Sequence, residues 1–452
     1  MASLSSSVHE PARDIPLFGE YDVVVLGGGP AGLMAATRAA RQDMSVLLVE
    51  RYGFLGGMGT AAGVTNFCGL YANVHGESKQ VVHGLADELL DRMRALDGLS
   101  VPHLIFGKVH AQAYDMSALK YASDGILVDS GVQILFHALG VGVSLKEDGE
   151  IDCLFLETKS GRVAVRAQVF IDCSGDGDLA NWAGAAYEKG TGPGQMLYPT
   201  LMFKVGNVDN ARAGEAWRDI PQRMDQLRDS GAYRFPRHGA IVRPMKNPYE
   251  WRVNVTQLSN QDGTAIDATD ARAFSRGELE GRQQAMEFLR FLREQIPGFD
   301  QAYALEIAPQ IGVRETRRVV GEYQLTREDV LGCADFDDAI GVNGWPLEKH
   351  VAGDVHWEWP PIPESRGYNQ LPYRMLLPRR SSGAPGNLLV AGRCASMTHE
   401  GQSAARVSGA CFVMGEAAGT AAAQALKTGT SVAAIDIRGL QRTLAEHGVF
   451  LG

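Results

Sequence analysis

The chain has 452 residues, a length that favours two structural domains over a single core. Its formal net charge of −10 argues against nucleic acid or an anionic membrane surface as a partner, and no apolar run is long enough for membrane insertion. The first eighteen residues lack the apolar core of a secretion signal, so we expect a cytoplasmic location.

The first recognisable unit is a strand, a glycine turn and a helix. The run YDVVVLG, from Tyr21 to Gly27, is β-branched and ends in glycine, which is typical of a buried parallel strand. Pro30 follows at the first position of a helix, where its missing N–H costs nothing, and apolar residues repeat at helical spacing up to Ala40. A second buried strand, SVLLVE, ends at Glu50.

The glycines of this turn have the spacing G-x-G-x-x-G. Gly27 allows the tight turn, Gly29 allows a diphosphate to approach the backbone, and Gly32 allows the helix to pack closely on its strand. The helix N-terminus offers free N–H groups to phosphates. Glu50 can accept hydrogen bonds from ribose hydroxyls and disfavours a 2′-phosphate. The motif therefore favours FAD or NAD over NADP, and a tight turn without a ligand is the alternative.

Further along the chain, amphipathic helices are predicted at residues 83–96 and 116–131, and strands within VQILFHAL, EIDCLFLET and RVAVRAQVFIDCSG. From about Ala185 charged and aromatic residues become more frequent, and a long polar helix is predicted over residues 270–296. Near Gly386 the pattern of the first part of the chain returns, with a buried strand and then a helix of small residues. This return indicates a nucleotide-binding unit built from both ends of the chain.

Three segments favour FAD over NAD. The glycine-rich loop RYGFLGGMGTAAG, directly after Glu50, suits an extended ribityl chain, to which Thr60 could hydrogen-bond; a surface loop is the alternative. The segment FIDCSGDGDLA ends a strand and brings Gly175 to the nucleotide. The segment LLVAGRCAS leads to a helix starting near Ala405, whose N-terminus, with Arg406, would stabilise a negatively charged reduced flavin. An ordinary salt-bridged arginine is the alternative for Arg406.

A family resemblance rests on six segments that follow one another over nearly the whole chain: YDVVVLGGGPAGLMAA, VERYGFLGGMGT, FIDCSGDGDLANWAGA, IGVRETRRVVGEYQLTREDV, LPYRMLLP and NLLVAGRCASMTHEGQSAARVSGACFVMGEAAGTAAA. Together they resemble the bacterial FAD-dependent oxidoreductase family, which is related in fold to the fumarate reductase and succinate dehydrogenase flavoproteins. The resemblance implies a two-domain flavoprotein with an extended FAD, and it implies no particular substrate. Some relatives bind the flavin covalently through a histidine; nothing in this sequence indicates that linkage, so we expect non-covalent FAD.

The resemblance also implies the cofactor contacts and the fold. The FAD-binding residues carried over are Gly27, Gly29, Pro30, Ala31, Gly32, Glu50, Arg51, Gly56, Gly57, Thr60, Gly175, Asp176, Gly392, Ala405, Arg406 and Val407. The expected fold class is α/β, with a discontinuous Rossmann-like FAD-binding domain and a second α+β substrate or cap domain. The expected boundaries give residues 19–185 and 386–452 to the FAD-binding domain and residues 186–385 to the cap domain.

Candidate catalytic residues follow from chain position and chemistry. Arg314, in IGVRETRR, could bind a substrate carboxylate, whereas Arg317 and Arg318 are better explained as ion-paired residues of a strand edge. His399 follows the third flavin segment and could remove a proton as hydride leaves, or it could simply bond a loop carbonyl. Tyr373 is a weaker candidate, as is His350, and Arg406 is expected beside the flavin ring.

The expected reaction is the transfer of a hydride from a small organic substrate to flavin N5, as in a dehydrogenase or oxidase. No second strand followed by a G-x-G-x-x-G turn is visible, and no two of the six cysteines are spaced C-x-x-C. A reductase or monooxygenase fed by soluble NAD(P)H, and an electron-relay subunit of a complex, are the alternatives. No histidine pair has metal-ligand spacing, so no metal is expected, and a homo-oligomer is possible.

Overall fold

The computed structural model describes residues 7–192 and 194–452, so the first six of the eighteen N-terminal residues considered above lie outside the described residues. The helices are α1 (Pro30–Ala40), α2 (Met58–Ala61), α3 (Leu85–Ala95), α4 (Met116–Asp129), α5 (Asp178–Trp182), α6 (Asn210–Ala213), α7 (Ala216–Leu227), α8 (Ala271–Gln295), α9 (Arg327–Leu331), α10 (His399–Ala405), α11 (Ser408–Thr428) and α12 (Ile437–Glu446).

The strands alternate with these helices in the first part of the chain and form several small sheets in the middle. They are β1 (Leu17–Leu26), β2 (Val46–Val49), β3 (Asn66–Phe67), β4 (Tyr71–Val74), β5 (Glu77–Gln80), β6 (His103–Ile105), β7 (Val109–Ala113), β8 (Gln133–Leu135), β9 (Leu139–Leu145), β10 (Ile151–Thr158), β11 (Gly161–Asp172), β12 (Tyr187–Glu188), β13 (Met202–Gly206), β14 (Ile241–Pro244), β15 (Trp251–Asn254), β16 (Tyr303–Ile307), β17 (Arg318–Val319), β18 (Ala339–Asn343), β19 (Leu347–Val351), β20 (Asp354–Glu358), β21 (Asn369–Pro372) and β22 (Leu388–Val390).

The fold is α/β, as predicted, and its main sheet joins both ends of the chain. Within the described residues this sheet has seven strands, in the order β8-β2-β1-β11-β10-β9, with β22 beside β11. Strands β8, β2, β1, β11 and β22 run parallel, and β10 runs antiparallel to both of its neighbours, β11 and β9. The long strand β11 pairs with β10 along its first half and with β22 at its end. The carboxyl ends of β1, β11 and β22 therefore meet at one edge of the sheet.

The predicted strand, turn and helix at the start of the chain are confirmed. The side chains from Val23 to Val25 are completely buried, because parallel neighbours flank β1 on both sides. The N-cap of α1 is Gly29 and its first residue is Pro30. The helix expected near Ala405 is in fact two helices, since Val407 is extended and separates α10 from α11. The break lets the Gly409 N–H bond the Cys68 carbonyl at 3.0 Å.

Helices α1 and α11 pack against each other backbone to backbone. A Cβ atom on Gly415 would lie 2.0 Å from the Ala31 carbonyl oxygen, and one on Gly419 would lie 2.2 Å from the Ala35 carbonyl oxygen. An ion pair between the buried side chains of Arg38 and Glu416 joins the same helices. Glu416 also accepts the Leu85 N–H at 3.0 Å, which ties α3 to this pair.

A second core lies on an antiparallel sheet in the order β14-β15-β13-β16, with α8 packed against it. Side chains from residues 325–377 pack with α1 and α11 in the core of the main sheet. The expected boundaries near residues 185 and 386 stay a prediction. Among the residues described here, no helix is both long enough and apolar enough to cross a membrane.

We predict that Gly415→Ala and Gly419→Ala each lower the free energy of unfolding by about 1–3 kcal/mol, because the added methyl group meets a rigid backbone carbonyl. Denaturant unfolding of the purified variants measures this change. The control is Gly125→Ala in α4, where the nearest atom is the mobile end of Arg92 and alanine should stabilise the helix. Equal stability of all three variants would contradict the packing argument.

Candidate active site

A cavity of about 760 Å³ lies where the main sheet meets the antiparallel sheet. Two parts of its lining differ in chemistry. One part, called here the glycine wall, consists of backbone-rich residues: Gly27, Gly29, Pro30, Ala31, Gly57, Gly175 and Gly392. The other part, called the arginine wall, consists of Arg237, Arg252, Arg314 and Arg406. The cavity therefore joins the predicted nucleotide turn to cationic side chains from the middle of the chain.

The glycine wall includes the bare N-terminus of α1. Its N-cap, Gly29, supplies no side-chain bond to the first turn, and the turn carries no acidic residue, so the free N–H groups are open to an anion. A Cβ atom on Gly29 would find only the Gly57 Cα within 4 Å, at 3.6 Å. The protein itself therefore has room for a side chain at Gly29, and that room belongs to the cavity.

The other two glycines of the motif, Gly27 and Gly32, are required by the turn and by the packing of α1 on β1. Gly27 has φ +103°, and its Cβ would lie 2.4 Å from the Cys173 carbonyl oxygen. A Cβ on Gly32 would lie 1.8 Å from the Gly27 carbonyl oxygen, where α1 crosses the end of β1. These contacts confirm the sequence argument that one glycine turns the chain and another brings helix and strand together.

Glu50 lines the cavity directly after β2. Its Oε2 accepts the Gly28 N–H at 2.7 Å, and its Oε1 accepts the Tyr52 N–H at 3.0 Å. Burial raises the pKa of Glu50, and these hydrogen bonds and Arg51 oppose the shift. Each oxygen keeps a second lone pair, so the carboxylate can still accept ribose hydroxyls. This geometry fits the role that the sequence assigns to Glu50.

Arg393 lines the cavity next to the glycine wall and was missing from the sequence-based residues. Its Nη2 donates to Asp176 at 2.8 Å, and its Nη1 donates to the Thr316 hydroxyl at 3.0 Å. Burial would raise the pKa of Asp176, but Arg393 and Arg51 outweigh it and lower that pKa. The position of Arg393 directly after Gly392 was the available signal.

Several residues carried over from the resemblance do not line the cavity: Gly32, Gly56, Thr60, Asp176 and Ala405. The Thr60 hydroxyl is completely buried and donates to the Leu55 carbonyl at 2.6 Å, so the predicted bond to a ribityl chain does not fit this geometry. Asp176 instead accepts a hydrogen bond from Arg393, which does line the cavity. Arg51 and Val407, by contrast, do line the cavity, as predicted residues of the cofactor site.

The side chains of the arginine wall bind mostly to carbonyl oxygens. Arg314 donates to the carbonyl of Tyr198 at 2.7 Å and to the Thr200 hydroxyl. Arg237 and Arg252 come from the antiparallel sheet region and are almost fully buried, at 2% and 5% exposure. Burial lowers the pKa of each of these two guanidinium groups to about 10. The wall is therefore a set of desolvated cations.

Arg237 and Arg252 are held in the same way by neutral groups. Arg237 donates to the backbone carbonyl and to the side-chain oxygen of Asn254. Arg252 lies 3.4 Å from the Thr65 carbonyl and 3.3 Å from His103 Nε2. Neither contact supplies a negative charge.

Glu348 and His350 form a buried pair at the arginine wall. Glu348 Oε1 lies 3.1 Å from His350 Nε2, Trp345 donates to Oε2 at 3.0 Å, and Arg406 lies 3.8 Å from Oε2. Burial would raise the pKa of Glu348, but the His350 hydrogen bond, Arg406 and Trp345 outweigh it and lower the pKa to about 2. Burial and the nearby Arg314 lower the pKa of His350 well below its ordinary value.

This pair fixes the tautomer of a neutral histidine. The ionised Glu348 can only accept, so His350 Nε2 carries the hydrogen and Nδ1 keeps its lone pair. Both residues line the cavity. The sequence ranked His350 as a weak candidate and gave no signal for Glu348.

Two predicted catalytic residues are away from the cavity, which corrects the sequence-based assignment. His399 Nδ1 lies 2.9 Å from Glu315 Oε2, and Glu315 is a buried anchor that also accepts the Leu197 N–H at 2.8 Å. Tyr373 is 1% exposed and donates its hydroxyl to the Val432 carbonyl at 2.7 Å. Both side chains lie against internal partners, and neither lines the cavity. The position of His399 after a flavin segment misplaced it, and the weaker candidate Tyr373 is a core residue.

The other two arginines of the IGVRETRR segment have structural partners, as expected. Arg317 donates to Asp178 at 2.8 Å, and Arg318 is paired with Glu315 in the core. Of the three, only Arg314 lines the cavity.

A family model described as FAD dependent oxidoreductase matches residues 22–444. The chain belongs to the FAD-dependent oxidoreductase family. It is therefore an enzyme with FAD as its cofactor, and the open space at Gly29, the bare N-terminus of α1 and the lone pairs of Glu50 fit the dinucleotide. The part of the cavity whose geometry fits this cofactor is the glycine wall, with Glu50, Arg51 and Arg393 beside it.

Matches between this oxidoreductase and curated proteins are partial. A dihydrolipoyl dehydrogenase of Trypanosoma brucei brucei is 51% identical over 45 residues, which is 10% of this chain and 9% of that protein. The mitochondrial dihydrolipoyl dehydrogenase of Schizosaccharomyces pombe is 35% identical over 18% of this chain and 17% of that protein. A digeranylgeranylglycerophospholipid reductase of Methanocella arvoryzae is 27% identical over 36% of this chain and 42% of that protein. The matches thus span less than half of each relative.

Solved flavoenzyme structures resemble this oxidoreductase more weakly. A geranylgeranyl bacteriochlorophyll reductase-like protein of Thermoplasma acidophilum gives a TM-score of 0.48 at 13% identity, over 95% of this chain and 84% of that one. A p-nitrophenol 4-monooxygenase of Pseudomonas putida gives 0.42 at 12% identity, over 95% of this chain and 81% of that one.

We predict that Gly29→Ala weakens FAD binding at least about tenfold while the apoprotein stays as stable as the wild type. The backbone of Gly29, at φ −73°, accepts alanine, and the new methyl group meets no protein atom closer than 3.6 Å. Flavin absorbance after dialysis measures binding, and thermal unfolding of the apoprotein provides the control. A variant that retains full FAD would exclude Gly29 from the cofactor site.

Proposed function

We propose that this enzyme is a dehydrogenase or oxidase that takes a hydride from a small organic substrate onto its FAD. The observation that carries the proposal is the single cavity that joins the glycine wall to the His350–Glu348 pair. FAD, when bound, would supply a two-electron acceptor, so a C–OH or C–N substrate would lose a hydride to it and a proton to the protein as it is oxidised to C=O or C=N. A histidine base and a cofactor cradle in one cavity meet both needs.

His350 is the proposed proton acceptor. Its Nε2–H is bound to Glu348, and its Nδ1 makes no hydrogen bond to the described residues, so its lone pair is free for a substrate hydroxyl or ammonium group. The carboxylate of Glu348 then stabilises the imidazolium that forms. Because burial keeps the resting imidazole neutral, the base is ready at neutral pH.

Arg406 and the N-terminus of α11 are the proposed electrostatic support for the reduced cofactor. Arg406, Val407 and Ser408 line the cavity, and the 21-residue helix α11 begins without a side-chain cap. Its N-terminal N–H groups and the Arg406 guanidinium present positive charge to the same space. Such charge favours the two-electron reduced state of a flavin and so raises its tendency to accept a hydride.

The proposal includes non-covalent FAD. Of the histidines at the cavity, His350 is held by Glu348, while the exposed His238 lies 3.7 Å from Asp225. Acid precipitation should therefore release the yellow cofactor into the supernatant. Flavin that stays with the precipitate would overturn this part of the proposal.

Anaerobic mixing of the purified holoenzyme with a panel of alcohols, amines, 2-hydroxy acids and 2-amino acids tests the reaction class. We expect direct bleaching near 450 nm by at least one compound and no bleaching by NADH or NADPH alone. Bleaching by NADPH only would replace the proposal with a reductase or monooxygenase. Bleaching by neither, with stable co-purification of a redox protein, would indicate an electron-relay subunit.

We predict that His350→Gln slows flavin reduction by the fastest compound of that panel by about 10²–10⁴-fold, with a much smaller change in KM. The matched control is His356→Gln, on the neighbouring strand β20, where the side chain is 61% exposed. Stopped-flow absorbance measures the rate. A rate within about threefold of wild type would rule out His350 as the base.

The pH dependence of that rate carries a separate expectation. Because the pKa of His350 is held well below its ordinary value of about 6.5, the base stays neutral above that pH. The rate should be constant from about pH 6.5 upward through neutrality and should fall only as the pH drops towards the lowered pKa. An acid limb centred near pH 6.5 would show an unperturbed histidine.

A further inference from the structure

The arginine wall carries more positive charge than the carboxylates around it balance. Within the described residues, no carboxylate makes an ion pair with Arg237, Arg252 or Arg314. The nearby acids are Glu348, whose carboxylate already binds His350 and Trp345 and lies 3.8 Å from Arg406, and the half-exposed Asp354, which accepts its neighbour's N–H. Buried cations that lack a counter-charge are costly, so an arrangement of this kind points to an anionic ligand.

Two of these guanidinium groups have N–H donors that make no hydrogen bond to the described residues. Arg237 uses Nη2 for Asn254, and Arg314 uses Nη1 for Tyr198 and Thr200. In the part of the chain that the structure describes, Arg237 Nη1 and Arg314 Nη2 make no hydrogen bond, and both side chains line the cavity. Burial, Arg406 and Arg237 lower the pKa of Arg314 well below its ordinary value, so the charge of Arg237 acts on Arg314. The two side chains are therefore neighbours with free N–H groups.

The cofactor's own charge does not account for these donors. The glycine wall offers the N-terminus of α1 to a diphosphate, and Arg51 and Arg393 lie beside that wall. Arg237 precedes β14 and Arg314 follows β16, so both lie in segments next to the antiparallel sheet rather than at the glycine wall. An anion at the arginine wall is therefore a second anion.

Aromatic side chains line the same cavity beside the charged groups. Trp345 and Trp357 pack edge to face with ring centroids 5.9 Å apart, and Phe106 lies 5.3 Å from Trp357. Trp345 also donates to Glu348, which places this aromatic cluster at the arginine wall. Rings of this kind bind apolar and aromatic bodies.

We propose that the substrate is an organic acid, with its carboxylate held by Arg237 and Arg314 and its apolar body packed against Trp345 and Trp357. Flat guanidinium groups bind a carboxylate through paired hydrogen bonds, which would orient the substrate as well as hold it. This inference rests on the proposed function, because it names the substrate class of the same cavity.

Binding of non-reacting probes to the oxidised holoenzyme tests the inference without any turnover. Benzoate, benzamide and phenyl phosphate are titrated separately, and the change in the flavin absorption spectrum gives each dissociation constant. We expect benzoate to bind at least about tenfold more tightly than the neutral benzamide and more tightly than phenyl phosphate. Equal binding of benzoate and benzamide would overturn the carboxylate site, and a clear preference for phenyl phosphate would assign it to phosphate esters instead.

Arg237→Met and Arg314→Met identify the site. Each should weaken benzoate binding about 10–100-fold and leave benzamide binding within about threefold, with full FAD content. The matched control is Lys204→Met. Lys204 faces Arg252 across neighbouring strands but does not line the cavity, so this variant removes one positive charge outside the proposed site. Wild-type benzoate binding by both arginine variants would contradict the inference. A failure of the proposed function gives a different result: benzoate binds normally, but no compound of the substrate panel bleaches the flavin.

Discussion

The close approach of α1 and α11 is the constraint on which the rest of the site depends. Carbonyl oxygens of α1 occupy the space where side chains would stand at Gly415 and Gly419, so the two helices fit in one register only. The buried pair of Arg38 and Glu416 reinforces this register, because either charge alone would be costly in the core. The N-terminus of α1 and the start of α11 are thereby held at fixed positions around one cavity.

Electrostatics divides this cavity into two parts. At the glycine wall, positive potential comes from backbone N–H groups and a helix terminus, which need no counter-ion in the protein. At the arginine wall it comes from buried side chains, and the buried Glu348, with its pKa of about 2, stays ionised among them. The unbalanced positive charge of the arginine wall lowers the stability of the folded protein. Buried charges that serve a function commonly carry such a cost in stability.

The sequence predicted the local secondary structure but not the side-chain positions that tertiary packing decides. The strand, glycine turn and helix around Gly27 follow from short-range rules, and the structure confirms them. His399 and Tyr373 were placed by chain position, whereas the fold turns both side chains towards internal partners. Arg237 lies before β14 and Glu348 lies in the β19–β20 hairpin, and only tertiary packing brings both to the cavity, which no pattern within their own segments encodes. The assignment of individual residues to cofactor and substrate remains a prediction for the experiments to test.

Strand β22 lies directly beside β11, although more than two hundred residues separate them in the chain. Translation makes the first glycine turn early and reaches β22, Gly392 and α11 more than two hundred residues after β11. Until then one flank of β11 has no parallel neighbour at its carboxyl end, and Gly392 is missing from the glycine wall. Assembly of the glycine wall therefore waits for this later segment, and a chain interrupted before β22 has only part of the wall.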